Sequence, residues 1–239
     1  MKQLSRRFLI TAVALFVAAC VLRAPASLLT LILPPSIQLR NVEGSFWNGQ
    51  ASVIGVGGLL VQEQVAWRFR PQSLLAASLD WVISGRLAER DSRLTLSVRP
   101  SGVELAGVSV VLPLEPFAAL HPRLKPAQLG AQLHATATRL RPQAPLAATV
   151  NIDQLSSPLV PQGALGSYTL ALEAAADGKG SWRITPVSGN FQVTGQGQFD
   201  TGQSQIHGQV LLTAKSPMPG LTPVLAALPK VGEGYQLAF

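Results

Sequence analysis

With 239 residues the chain is long enough for one large domain, and its hydrophobic content of 47% can fill a proper core. Charged residues make up only 13%, against roughly a quarter in an ordinary soluble domain, which suits a surface covered by a partner or by lipid better than a free cytosolic enzyme. Of the net charge of +7, Lys2, Arg6, Arg7 and Arg23 around the first apolar run supply four units, and the +3 that remains forms no basic stripe with interleaved aromatics, which speaks against a nucleic-acid surface.

The first seven residues are basic, Phe8 to Leu22 is an uncharged run of fifteen, and Arg23-Ala24-Pro25 follows. This charge asymmetry puts the N-terminus in the cytoplasm. The expectation is a cytoplasmic tail over 1–7, a transmembrane helix over 8–24, a linker over 25–36 and a periplasmic β-rich domain over 37–239. Fifteen residues fall short of the roughly twenty that span a bilayer, but the long stems of Arg6, Arg7 and Arg23 can snorkel to the headgroups. A cleaved signal peptide has the same basic start and short apolar run, and it places the remainder on the same side. The one cysteine, Cys20, cannot form an internal disulfide. Val17-Ala18-Ala19-Cys20 resembles the box ahead of a lipidated cysteine in bacterial lipoproteins, yet Val21 and Leu22 prolong the apolar run where a mature lipoprotein turns polar. Cys20 therefore reads first as a small apolar residue of a membrane helix, with lipidation as the alternative.

From Pro34-Pro35 onward the periodicity changes to near two, and Gly or Pro breaks recur every eight to fifteen residues, the pattern of many short antiparallel strands. Ile37 to Arg40, Val61 to Arg70, Arg93 to Arg99, Gly102 to Leu105, Gln132 to Thr138, Phe191 to Phe199 and Gln205 to Leu211 each alternate apolar with polar residues, in whole or in part. Asp177-Gly178 marks a tight hairpin between Tyr168 to Ala174 and Trp182 to Thr185. Helices are few: short pieces at Pro71 to Ala77, at Leu114 to Leu120 and at Leu221 to Leu228. The proline-rich stretch over 121–128 is the best internal boundary, between two lobes or sheet layers. The expected fold is mainly β: a single N-terminal transmembrane helix, then an antiparallel, curved sheet or sandwich-like domain with few short helices.

Catalysis needs a nucleophile, a base or a metal cluster in mutual reach. His121, His134 and His207 form no H-x-x-H or H-E-x-x-H pattern, and Cys20 lies in the apolar run, so no metal site is expected. His134 and His207 fall on polar strand faces. No G-x-S-x-G elbow occurs, Gly55-Val56-Gly57-Gly58 lacks the lysine of a phosphate loop, and Glu43, Glu63, Asp80, Glu89 and Asp91 follow no spacing rule. The expectation is a protein that is not an enzyme and needs no cofactor. Trp47, Trp67 and Trp81 cluster within 35 residues while Trp182 stands alone. Such rings pack the inside of a sheet, each burying on the order of 200 Å²; the alternative is that they line an apolar groove for lipid or a partner strand.

Two stretches add a resemblance. Val42-Glu43-Gly44-Ser45-Phe46-Trp47-Asn48-Gly49-Gln50-Ala51 is followed about twenty residues later by Val65-Ala66-Trp67-Arg68-Phe69-Arg70-Pro71-Gln72-Ser73-Leu74-Leu75. With the basic start and apolar segment, this resembles the type II secretion system protein N family, whose members show a Gly-[small]-[apolar]-Trp-x-Gly strand and then a Trp-x-[apolar]-x-Pro-x-x-Leu-[apolar] unit. The role of Gly44, Trp47, Gly49, Trp67, Pro71, Leu74 and Leu75 is structural: the glycines allow bends beside Trp47, and Trp67 leads into a proline-started turn whose leucines are expected to fold back on the sheet. The chain departs from the pattern at Ala77-Ser78, where many relatives place a glycine. The resemblance implies an accessory inner-membrane subunit with its bulk in the periplasm, a scaffold or assembly factor for export of folded proteins. Implied partners are the inner-membrane platform and the outer-membrane secretin, with sheet edges open to strand addition, alongside membrane lipid. The competing expectation, from low charge and apolar strand faces, is an envelope lipid-binding β-groove protein.

Overall fold

The computed structural model describes residues 2–33, 37–56, 59–62, 64–87, 90–115, 118, 127–160, 165–203 and 205–238. The expected lobe boundary, most of the proline-rich stretch and His121 fall outside the described residues. Helix α1 runs from Lys2 to Leu22, taking in the basic tail that was expected to lie outside it. At 1.5 Å per residue its uncharged run rises about 22 Å, against a hydrocarbon core of about 30 Å. Among the described residues no helix is long and apolar enough to cross a membrane, so the expected transmembrane helix over 8–24 is not seen as such. What α1 does present is an apolar surface: Phe8, Leu9, Leu15, Phe16 and Leu22 are all exposed.

The stretch expected to be a linker is docked instead. Ala26–Leu28 forms a 3-10 turn and Leu29–Ile32 a helical turn. Ala26 is 2% exposed beneath the sheet, Pro25 bridges Ser45, and the Phe46 backbone N–H donates to the Ala24 carbonyl at 2.8 Å. Burial of an apolar foot, with backbone polar groups paired, holds this segment.

Among the described residues seventeen strands build two antiparallel sheets. The smaller contains β1 (Ile37–Arg40), β4 (Val53–Val56) and β5 (Leu59–Gln62). The larger takes in β2 (Glu43–Gly44), β3 (Asn48–Ala51), β6 (Gln64–Phe69), β7 (Leu79–Leu87), β8 (Arg90–Arg99), β9 (Gly102–Pro113), β10 (Gly130–Leu140), β11 (Leu146–Ser156), β12 (Gly166–Ala174), β13 (Lys179–Ser188), β14 (Phe191–Asp200), β15 (Gln205–Ala214), β16 (Lys230–Val231) and β17 (Gly234–Ala238). Its order is β16-β17-β15-β14-β13-β12-β11-β10-β9-β8-β7-β6-β3-β2, so from β6 to β15 each strand pairs with its neighbour in sequence. The hairpin at Asp177-Gly178 forms as expected, with Gly178 at φ +83°.

Alternation along the strands becomes two faces of the large sheet. One cross-strand row reads Val108, Ala137, Ala148, Leu172, Trp182, and a neighbouring one Val150, Leu170, Ile184, Gly195, Val210, Leu237. On the other face Thr136, Thr149, Ala171, Arg183, Gln196 and Gln209 lie side by side. A register shift between Arg93 and Thr95 of β8, opposite Gly107 at φ +56°, keeps both Leu105 and Val108 on the apolar face.

Two clusters fill this face. One joins Ala26, Ala51, Trp67 and Trp81 with Phe46, Trp47 and Phe69. Trp47 stacks on Trp81 at 6.0 Å and 8°, while Phe46 stands edge-on to both rings at 5.4 and 5.7 Å; each such pair adds about 0.5–1.5 kcal/mol beyond its buried area. The other joins Leu155, Leu165, Tyr168, Phe191, Leu221 and Leu225. The helical piece expected at Leu221 to Leu228 is a 3-10 turn, Pro219–Leu221, and a short helix, Thr222–Ala226. It contributes Leu221 and Leu225 to this second cluster.

Candidate functional site

Strand direction sorts the sheet into two ends. At the first, β6, β8, β10, β12 and β14 finish and their successors begin; at the second the reverse holds. The family-like motifs all gather at the first end. Ser45 and Asn48 close a tight turn, with the Ser45 N–H donating to the Asn48 carbonyl at 2.8 Å. Gly44 has φ +90°, and a Cβ there would stand 2.6 Å from the Asn48 carbonyl oxygen. A Cβ on Gly49 would meet the Trp67 ring and the Glu43 carbonyl oxygen, each at 2.5 Å. Trp67, 8% exposed, donates its indole N–H to the Ser45 carbonyl at 3.1 Å. Trp47 donates to the Val21 carbonyl at 2.8 Å, which ties the end of α1 to the sheet.

After Phe69 the chain turns through a 3-10 helix, Pro71–Ala76, that starts at Pro71 as expected. Its centre is Ser73, buried, whose hydroxyl donates to the Arg70 carbonyl at 2.7 Å and accepts from the Asp80 N–H at 3.1 Å. Ala77 closes it in the left-handed conformation, φ +50°. The expected fold-back of the two leucines is not found: Leu74 is 56% and Leu75 93% exposed. The inward position belongs to Ser73, so both leucines are left facing out; no sequence signal marked Ser73.

Beside this turn Glu104, with a side chain only 6% exposed, is held by three arginines. Arg141 donates Nε–H at 2.7 Å, Arg139 lies at 2.6 Å and Arg99 at 3.3 Å. The Arg141 hydrogen bonds, against the cost of burial and with help from the charges of Arg139, Arg141 and Arg99, hold the Glu104 carboxyl below its ordinary range. The cluster carries two positive charges in excess of its carboxylate.

Between β11 and β15 the apolar face is hollowed into a trough of about 1240 Å³. Leu170, Leu172, Trp182, Ile184, Val193 and Val210 line its floor. Trp182 lies flat across the neighbouring strands because Gly197 and Gly208 leave room; a Cβ on either would come within 2.6 or 2.2 Å of the indole. The second end is closed by Leu165, Tyr168, Phe191 and Leu221, all at most 7% exposed. There the Tyr168 hydroxyl donates to the Phe191 carbonyl at 2.6 Å, and burial pushes its pKa up to about 12. The first end stays open, past Phe199 and Ile206, the latter 58% exposed, with Asp200, Thr201 and Gln205 at the mouth. Asp200 is engaged there by the N–H groups of Gly202 and Gln203. A second hollow of about 1140 Å³ lies on the polar side, among Gln50, Gln64, Arg68, Ser84, Arg86 and Arg93, and is lined for water.

Chemically, the trough offers apolar surface and no cluster of acids or bases. Among the described residues no three His, Cys, Asp or Glu side chains gather to hold a metal ion. His134 shares a hydrogen bond of 3.0 Å with Ser109 Oγ, and His207 is exposed. Cys20 is exposed on α1. Arg6 and Arg7 fall within α1, and Arg23 follows it, its N–H donating to the Ala19 carbonyl. At both edges of the large sheet the outermost strand, β2 or β16, is two residues long, which leaves little ladder for an added strand. Sequence alternation had signalled an apolar face; it could not show that one half would be filled by Ala26, Phe46 and Trp47 and the other left open.

The family model described as type II secretion system (T2SS), protein N, matches residues 35–237 of the chain. That range covers nearly all of both sheets and leaves α1 outside. No curated protein and no solved structure matches the chain significantly.

Proposed function

The chain belongs to the type II secretion system protein N family, and on that premise we propose that it is an accessory subunit of the secretion machinery, held at the inner membrane by α1 with its sheets on the periplasmic side. The match over residues 35–237 is the observation that carries this reading. The exposed apolar side chains of α1, between the basic start and Arg23, support a seat in lipid, and the positive start favours the cytoplasmic side, with the stems of Arg6, Arg7 and Arg23 reaching the headgroups where the run falls short of the bilayer. The hydrogen bonds from Trp47 and Phe46 to the end of α1 make the seat and the sheet one unit, as a scaffold requires. Short edge strands argue that partners meet the faces or the strand-end rim, not a free ladder. The partners of this reading are the inner-membrane platform subunits, with the outer-membrane secretin as a second contact.

The test is crosslinking of tagged, full-length protein in intact membranes, followed by identification of what it captures. Platform or secretin subunits are expected. Their consistent absence, with the protein itself present and membrane-bound, would remove the proposal.

A further inference from the structure

Four independent features share the first end of the strands. The end of α1 is tied there through Trp47 and Phe46. The turn after β6 holds out Leu75, 93% exposed, although nothing in the fold requires a leucine in water. Arg99, Arg139 and Arg141 surround Glu104 there, leaving two positive charges in excess. The apolar trough, closed at the other end by Tyr168 and Phe191, opens there through Ile206. A helix that sits in lipid therefore brings one rim of the sheet to the bilayer surface. That rim carries exposed apolar side chains for the acyl boundary, cations for the headgroups, and the mouth of an apolar hollow.

We propose that the trough takes the acyl chains of a membrane phospholipid, which enter from the bilayer at this rim while the headgroup stays outside at the mouth, by Asp200, Thr201 and Gln205. The argument rests on the membrane seat of α1 proposed above and not on the secretion partners. The hollow of about 1240 Å³ exceeds the range of roughly 300–1,000 Å³ typical of sites for compact small molecules, which suits long chains. Its floor offers Leu, Ile, Val and Trp side chains with no charge among them, so it has nothing to pair with a polar ligand.

The experiment uses the full-length protein, solubilised in a mild detergent and incubated with vesicles of phosphatidylethanolamine and phosphatidylglycerol. Bound lipid is read by native mass spectrometry. A phospholipid adduct is expected. Leu172→Glu, in the floor, and Ile206→Glu, at the mouth, should each lower the adduct at least tenfold. Ile206 is more than half exposed, so its variant keeps the fold even if the floor variant does not, and far-UV circular dichroism checks both. Leu75→Glu should slow loading from vesicles while leaving lipid carried from the cell in place. No adduct in the wild type, an adduct untouched by Ile206→Glu, or a dimer of the chain in place of lipid would each overturn the proposal. A protein that crosslinks to secretion subunits but carries no lipid sinks this inference alone; one that carries lipid but captures no subunit sinks the secretion role and leaves this standing.

Discussion

Replacing Ala77 by glycine should stabilise the protein, against the usual sign of such a change. Ala77 closes the turn after Pro71 with φ +50° and donates its N–H to the Leu74 carbonyl at 3.1 Å. A left-handed backbone costs an L-residue with a Cβ about 1–2 kcal/mol. Glycine removes that cost but gains freedom in the unfolded chain worth about 0.4–1 kcal/mol. The methyl group is exposed, so no packing is lost. The net gain is about 0.5–1 kcal/mol, and with a urea slope of about 2 kcal/mol per molar it moves the midpoint up by about 0.3–0.5 M. Equilibrium unfolding in urea, followed by fluorescence of the Trp47, Trp67 and Trp81 cluster, reads the change directly. Ala76→Gly is the control: it lies in the same turn without a positive φ, and should lose about 0.5–1 kcal/mol. An Ala77→Gly midpoint equal to or below that of the parent would refute the reasoning.

Gly49→Ala should cost about 1–3 kcal/mol, because its Cβ would meet both a backbone carbonyl and the Trp67 ring at 2.5 Å; a thermal melt unchanged within a degree would contradict this. Tyr168→Phe should cost about 1–2 kcal/mol by leaving the buried Phe191 carbonyl without its donor. In the parent, the Tyr168 pKa of about 12 lies above the unfolded value of about 10. The unfolded state therefore loses its proton first, stability is full below pH 10 and falls from there toward 12, and the phenylalanine variant should lack that part of the alkaline slope in urea titrations. Glu104 has the opposite sign: its folded pKa is depressed, so its contribution is present above the unfolded value of about 4.3 and lost as pH falls through the lower folded one. Glu104→Gln should flatten the acid limb, and a slope equal to the parent's would remove the ion cluster from the account. Leu75→Ala should change stability by less than about 0.5 kcal/mol despite its place in the motif, since almost none of it is buried.

Much of the fold could be read in the chain beforehand. Alternation located the strands, Asp177-Gly178 its hairpin, Pro71 its turn, and the expected packing of the tryptophans is what the sheet shows for Trp67 and Trp81, whereas Trp182 lies in the floor of the trough. Less of the site was legible, for three physical reasons. Which face a residue takes depends on register, and the shift at Gly107 decides it for Leu105 and Val108 without a mark in the alternation. The docking of Trp47 on the end of α1 is a contact across 26 positions, to the Val21 carbonyl, that no local pattern encodes. The outward turn of Leu74 and Leu75 follows from the hydrogen bonds of Ser73, a residue that reads as ordinary loop chemistry until its partners are seen.

From β7 to β15 every strand lies against the one made just before it. On the proposed reading, in which the chain is drawn through a membrane with its N-terminus held back, this order has a kinetic meaning. Each new strand emerges beside a template already in place, so loop closure stays short and the exposed ladder is never longer than one strand. Assembly can then keep pace with delivery and wait at any point without scrambling. The seating of Thr222–Ala226 over the far end of the sheet then gives the growing ribbon a closed end, and β17 completes it by pairing with β15.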